Sequence, residues 1–305
     1  MNAQRAQLSG GRWHLQHGPI DIVIDADAAD GAAEVLEAAH AQAWTRFQNI
    51  LQELVAELPL LRQPVGDVCP LRGVVARRMW QACVPFAATF ITPMAAVAGA
   101  VAQELLPFYQ VPGVQRAWIN NGGDIALHLA SGESVQVGLF ADLGRLASEQ
   151  PLQLDGRFQV FADMPVRGIA TSGWRGRSLS MGIADSVTVL ARTAAEADAA
   201  ATIIANAVDV AEELADGRIE RLPANQVRDD SDLGERLVTV NVPSLPPELV
   251  HAALQHGFLQ AETLRKAGHI EAAVLVCQGQ RVTTELPTRL QNPPQLARQF
   301  GAIAG

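Results

Sequence analysis

Residues 165–208 read PVRGIATSGWRGRSLSMGIADSVTVLARTAAEADAAATIIANAV, and this stretch decides how the chain is interpreted. It passes from a Gly/Ser/Thr-rich loop through a β-branched strand, Ser186 to Arg192, into a helix. Thr193 suits the N-cap and Glu196 follows three residues later, the capping-box spacing that satisfies amides otherwise orphaned at a helix start. Helix is therefore expected from about Ala194 to about Val210. Asp198 and Thr202, four residues apart, share a face at the edge of an apolar stripe of Ala197, Ala200, Ile203, Ile204, Ala207 and Val208. Ala199, Ala200 and Ala201 leave room for close approach, and oxygen ligands on such a helix suit a hard cation or a phosphate. The same spacing also fits a local role, with Asp198 favouring the positive helix start and Thr202 bonding back to a carbonyl.

Working outward, Thr92-Pro93 is a favourable helix opening, with threonine as N-cap and proline where its missing N–H costs nothing. That helix is expected to run through Ala98 and Gly99 to about Leu106, its small residues permitting close contact with a sheet or a ligand. Arg116 to Asn120 and Ile125 to Leu129 flank a tight NNGGD turn. There Gly122 and Gly123 can adopt positive φ and expose backbone amides beside Asn121 and Asp124. Toward the N-terminus, alternating residues on both sides of Gly18-Pro19 predict a hairpin, followed by a long amphipathic helix from about Gly31 to Leu58. A further helix holds Val74, Val75, Met79 and Ala82. Toward the C-terminus, strands are expected over Leu237 to Val242, Ala272 to Cys277 and Val282 to Leu286, with a helix from about Pro247 to Lys266. Hairpins and intervening helices without a regular βαβ repeat favour an α+β fold with antiparallel sheet.

Several residues are candidates for chemistry. Asp124 follows two glycines, so its carboxylate could approach a ribose, a flavin edge or an amide; capping its own turn is the alternative. Thr171, Ser172 and Gly173 could donate hydrogen bonds to a phosphate, and Arg175 or Arg177 could neutralise it. No P-loop or Rossmann glycine motif is present. His128 is expected on the strand face opposite Leu127 and Leu129, as packing rather than catalysis. His251 and His256 are five apart and do not make a metal pair. Neither Ser172 nor Ser178 has an identifiable partner base.

With 305 residues, 49% of them hydrophobic and 18% charged, the chain can bury a substantial core. A net charge of -9 argues against a general nucleic-acid binder, which needs surplus Lys and Arg. The low-charge stretch from Ala82 to Gln103 contains two prolines and reads as buried packing rather than a membrane span. The polar N-terminus has no apolar core of secretory length, so a cytoplasmic location is expected. Cys69, Cys83 and Cys277 are widely spaced and odd in number, as suits reduced, buried thiols rather than zinc ligands.

Four segments in order resemble a family of uncharacterised proteins within the ApbE-like superfamily: TPMAAVAGAVAQE from Thr92, NNGGDI from Asn120, GIATSGWRGRSLSMGIADSVTVLA from Gly168 and ADAAATIIANAV from Ala197. The best-known members of that superfamily are FAD:protein FMN transferases. The resemblance implies one ApbE-like domain over residues 1–305, with two pseudo-related halves, T-fold-like antiparallel sheets and packed helices, and a ligand cleft between the halves. It implies that Asp198 and Thr202 hold Mg2+ on the pyrophosphate of FAD or a related nucleotide. The ligand itself would be lined by Thr92, Asn121, Gly122, Gly123, Asp124, Thr171, Ser172, Gly173 and Arg177.

Where the transferases carry a His-Ile-Ile-Asp-Pro type segment after their Ser-Gly loop, this chain runs from Trp174 to Gly182 without a histidine. The resembling family often has Gly-His where Gly176-Arg177 stands and cysteine where Ala170 stands. Three functions follow as expectations. The first is a flavin- or nucleotide-binding protein dependent on Mg2+, with the catalytic residues of any transferase-like reaction unassigned. The others are a non-catalytic accessory protein in sulfur assimilation, including homocysteine formation, with Cys83 or Cys69 as sulfur carrier, and a divergent FAD:protein FMN transferase. Expected partners are the small-molecule ligand and a second copy of the chain in a homodimer, with no nucleic acid and no membrane.

Overall fold

Residues 2–139, 156–211 and 217–285 are described by a computed structural model, built around a nine-stranded antiparallel sheet. In chain order the strands are β1 (Gln4–Gln7), β2 (Trp13–His17), β3 (Ile20–Ala28), β4 (Val114–Asn121), β5 (Asp124–Leu129), β6 (Ser134–Leu139), β7 (Gly156–Phe161), β8 (Gly168–Ser172), β9 (Ser186–Ala191), β10 (Glu220–Pro223), β11 (Leu237–Asn241), β12 (Ala272–Cys277) and β13 (Gln280–Thr283). The large sheet has the order β1-β2-β3-β4-β5-β8-β9-β12-β13, and β6-β7 and β10-β11 form separate two-stranded sheets. Strands from the two ends of the chain therefore join in one sheet, where Ile125 pairs with Ile169 and Ala126 with Gly168.

The longer helices α1 (Ala33–Ala56), α2 (Val74–Cys83), α3 (Val97–Leu105), α4 (Ala194–Ala207) and α5 (Pro247–Lys266) pack on one face of this sheet. Strand alternation explains the burial. Ile22 and Ile24 of β3, Ala117 and Ile119 of β4, and Val187 and Val189 of β9 meet the helices in the main core. On the opposite face Leu127, Leu129, Ile169 and Leu190 pack against Val137, Phe158 and Val160 of β6 and β7, forming a second core.

The expected helix at Thr92 is divided: Pro93–Ala96 form a 3-10 turn and the α-helix begins at Val97. α4 ends at Ala207 rather than Val210. β11 lies outside the main sheet, paired with β10. β13 covers Gln280–Thr283 in place of the strand expected over Val282 to Leu286, the last residue of which lies outside the described residues. Among the described residues no helix is long and apolar enough to cross a membrane.

Candidate functional site

α4 is buried almost all round, with Ala194, Ala195, Ala197, Ala199, Ala200 and Ala201 among its buried residues. The alanines between Asp198 and Thr202 thus serve protein packing, because α4 lies against β8 and β9 and is also packed against α3 and α5. The closest point is Gly99 of α3, where a Cβ would stand 2.2 Å from the Ala194 carbonyl oxygen. At the N-terminus of α4, Thr193 Oγ1 accepts from the Glu196 amide at 3.3 Å, which is the hydroxyl half of the capping box. Glu196 Oε2 is buried without a hydrogen-bond partner, so the reciprocal half is not completed through that oxygen.

Asp198 and Thr202 are both half-buried on α4. The Gly99 amide donates to Asp198 Oδ2 at 2.9 Å, so the carboxylate sits over the first turn of α3, where amide dipoles favour a negative charge. Burial outweighs that effect and pushes the Asp198 carboxyl up to about 7, although the amides of Gly99 and Ala98 pull it down.

Asp124 comes from the other side. Asn121 and Asp124 are directly paired across the β4–β5 turn, so both side chains project toward the helices. Asn121 Nδ2 donates to the Ala98 carbonyl at 3.0 Å, fixing the turn against the start of α3. Asp124 is buried and its Oδ1 accepts from the Thr171 amide at 3.1 Å. Burial and then the charge of Asp198 hold its carboxyl well above the usual carboxylate range. Gly122 and Gly123 both have positive φ, and the Gly123 amide is already taken by Asn120 Oδ1 at 2.8 Å.

The segment expected as a Gly/Ser/Thr-rich loop is strand β8 as far as Ser172, because it pairs with β5 and β9, so its side chains alternate between the two sheet faces. Thr171 pairs with Thr188 on the face away from the helices, and the two hydroxyl oxygens lie 3.0 Å apart. Only the backbone of Thr171 reaches Asp124, while alternation puts Ser172 on the helix face. Gly173 permits close packing, since a Cβ there would lie 2.4 Å from the Asp185 carbonyl oxygen. Arg177 is exposed; its Nη2 donates to the Pro19 carbonyl at 3.3 Å, and its Nη1 lies 3.2 Å from where a Cβ on Gly122 would stand.

Thr92 is buried and has the extended backbone of an N-cap, but its hydroxyl caps nothing. It donates instead to Asp232 Oδ2, while its carbonyl accepts from the Cys83 thiol at 3.4 Å. Burial, with the charges of Asp198 and Asp232, raises the Cys83 thiol well above its ordinary value, which keeps it protonated and unreactive.

Around the start of α3, Asp198 accepts from the Gly99 amide, Asn121 donates to the Ala98 carbonyl and pairs with Asp124, and Arg177 lies beside Gly122, whereas Thr92 reaches Asp232 and Cys83 instead. Three participants were not anticipated. Asp232 and Arg228, whose Nη2 donates to the Arg177 carbonyl at 3.1 Å, come from a distant loop with no local motif. Asn206 had a signal: it continues the four-residue spacing of Asp198 and Thr202, and its Oδ1 accepts from Ser180 Oγ at 3.2 Å and the Met181 amide at 2.9 Å, docking the loop on α4.

The remaining histidines are accounted for by packing or the surface. His128 faces the Val114 carbonyl at 3.3 Å, and exposed His256 the Asp209 carbonyl at 2.8 Å. A separate open cavity of about 790 Å³ is lined by Arg46, Glu53, Glu57 and Glu104 among others, but these charges bind one another or the amides of Arg72 and Gly73.

Fold and site together define an antiparallel α+β protein with helices on one sheet face and buried carboxylates at the start of a central helix. A family model described as AbpE bacteria matches residues 4–283, and the chain belongs to this family. A UPF0280 protein of Methanopyrus kandleri is 35% identical over 189 residues, covering 61% of this chain and 69% of that protein. Another, of Methanospirillum hungatei, is 36% identical over 131 residues, covering 43% of this chain and half of that relative's length. Among solved structures, the flavin transferase ApbE of Vibrio cholerae is similar at 12% identity and a TM-score of 0.45, covering 95% of this chain and 99% of that one. The apo flavinyl transferase ApbE of Pseudomonas stutzeri is similar at 13% identity and a TM-score of 0.41, covering 93% of each chain.

Proposed function

We propose that this protein binds a flavin or related nucleotide through its diphosphate, with a divalent cation such as Mg2+ between the phosphates and the protein. The observation that carries this reading is that Asp198 accepts from the Gly99 amide while Asn121, paired with the buried Asp124, donates to the neighbouring Ala98 carbonyl, which brings two carboxylate-bearing elements to the start of α3. Phosphate alone would be repelled there; a divalent cation neutralises both carboxylates and offers the phosphate a partner.

The oxygen donors fit a hard cation. Asp198 has one oxygen engaged by Gly99, and Thr202 lies one turn further along α4. Among the described residues no group of three or more His, Cys, Asp or Glu side chains is spaced to hold a metal, so ligand oxygens, water or backbone carbonyls would complete the shell. A bound cation would polarise the phosphoryl oxygens. This chain's own contribution is to place the two carboxylates, to hold the turn through Asn121, and to set Arg177 beside Gly122 where it offsets phosphate charge. The preference for a flavin among nucleotides comes from the ApbE-like resemblance.

Native mass spectrometry of the full chain with FAD or ATP, and with FMN as the monophosphate comparison, each with and without magnesium, tests the reading. The expected result is nucleotide retention that requires magnesium and weakens in Asp198→Ala without loss of fold. Equal magnesium-dependent affinity in the variant and the parent would remove Asp198 from the site.

A further inference from the structure

We infer that residues 225–236, between β10 and β11, form a strap latched across the proposed cation and phosphate end, and that ligand enters and leaves when the strap lifts; this rests on the nucleotide reading above. The strap is fastened on both sides of the start of α3. On one side Thr92 donates to Asp232 Oδ2, and Arg62 Nη2 pairs with Asp230 at 2.9 Å. On the other side Arg228 Nη2 donates to the Arg177 carbonyl at 3.1 Å, and Arg177 lies beside Gly122. The start of α3 connects the two sides: Thr92 leads into it through Pro93–Ala96, Asn121 of the Gly122 turn binds its Ala98 carbonyl, and its Gly99 amide holds Asp198.

The segment is built to swing on its base. The amides of Ala224 and Asn225 donate to the carbonyls of Arg236 and Gly234 at 2.9 and 2.8 Å, which closes the base beside the ends of β10 and β11. The amides of Arg228, Ser231, Gly234 and Arg236 also find their carbonyls within residues 224–236, so the strap keeps its shape when it leaves the body of the protein. None of residues 225–236 is buried, and no apolar anchor resists opening. Side-chain contacts fasten it, including the Arg236 guanidinium over the Phe90 ring. In the Arg62–Asp230 pair the side chains are 33% and 68% exposed, and a pair so exposed shifts an equilibrium about fivefold at most. A segment held in this way belongs to the low-stability end of a structure, where local opening is frequent.

Ligand chemistry favours the closed strap. Arg228 and Arg177 are joined through one carbonyl, so a phosphate at Arg177 attracts Arg228 as a second guanidinium. Before that phosphate arrives, the strap carries Asp229, Asp230, Asp232 and Glu235 against two arginines, a surplus that repels an incoming anion. The closed strap therefore slows entry, and with the phosphate in place it slows escape.

The test is stopped-flow flavin fluorescence of the full chain with FAD and magnesium. Asp230→Asn cuts the exposed latch and is expected to raise the association and dissociation rates together by up to about fivefold at low salt, with affinity kept within about twofold. The gain should vanish at about 1 M salt, where screening has already weakened the latch in the parent. Arg62→Cys with Asp230→Cys, on a Cys69→Ser background that removes the partly exposed native thiol, allows the strap to be fixed with a short bismaleimide. Cross-linking should slow both rates about tenfold or more, whereas the same variant without the cross-linker should not be slowed. Rates unchanged by the cross-link, or an Asp230→Asn variant that alters affinity through one rate alone, overturn the strap and leave the nucleotide reading standing. A parent protein that does not bind FAD with magnesium overturns both.

Discussion

The Gly99 amide donates to Asp198 Oδ2 at 2.9 Å, and the same glycine lies so close to α4 that a Cβ would stand 2.2 Å from the Ala194 carbonyl oxygen. Helix contact and carboxylate placement are therefore one feature. A bulkier residue at 99 separates the helices and withdraws the amide from Asp198. Gly99→Ala is expected to cost about 3 kcal/mol, the upper end for an overpacked core, because the opposing atoms are backbone and cannot swing away. Urea unfolding measures it; a loss below about 1 kcal/mol would mean that α3 shifts freely.

Asp198 has a folded-state carboxyl raised from its ordinary 3.8 to about 7, chiefly by burial. Its neutral form is the one the fold prefers, so its contribution is complete below about pH 4 and is lost as pH rises through about 7. Asp198→Asn should therefore gain stability relative to the parent between pH 5 and pH 8, a window spanning that titration. At pH 8, magnesium should stabilise the parent and not the variant, because a cation that binds only the folded state shifts the equilibrium toward it. A pH-independent difference in urea midpoint would contradict the first expectation.

His40 has the opposite sign. Burial lowers its imidazole to about 4, and its Nδ1 lies 2.8 Å from the Tyr109 hydroxyl. The unfolded chain takes up a proton near 6.5 that the folded chain refuses, so stability is complete above that pH and lost as pH falls toward 4. His40→Gln keeps an acceptor for Tyr109 and removes the titration. Its unfolding midpoint should change less than the parent's between pH 7 and pH 4.5, and parallel curves would show that His40 is not the group responsible.

Flavin transfer to a protein hydroxyl should be slow or undetectable. The chain has no histidine between Gly173 and Ser186, and Arg177 is a guanidinium that holds anions but does not accept protons. A positioned base commonly contributes about 10²- to 10⁴-fold, so transfer without one is expected to be slow even where binding survives. Incubation with FAD, magnesium and a protein domain carrying a flavinylation motif, followed by mass spectrometry, measures this. Multiple-turnover labelling that disappears in Asp198→Ala would establish a transferase.

Much of the fold was legible because it rests on local pattern. The Gly18-Pro19 hairpin, the β4–β5 turn at Gly122-Gly123, β9 and the Thr193 cap all follow from neighbouring residues, and the structure contains each of them. β6 and β7 were missed because their apolar residues find partners only on the far face of the large sheet. In the site, the shared face of Asp198 and Thr202 was readable from helical spacing, as was Asn206, which repeats it. The Thr171 hydroxyl was not placed, because which face a residue at the end of β8 takes depends on pairing with β9.

By itself the sequence determined the periodic elements, the small residues of α4 and the absence of a histidine in the loop before β9, since each is a property of consecutive residues. Tertiary structure alone decided that those small residues accommodate α3 and α5, that Asp198 meets the Gly99 amide and Asp124 the Thr171 amide, and that Thr92 donates to Asp232 rather than capping its helix. These depend on groups up to 140 residues apart, and on desolvation that exists only when the chain is folded.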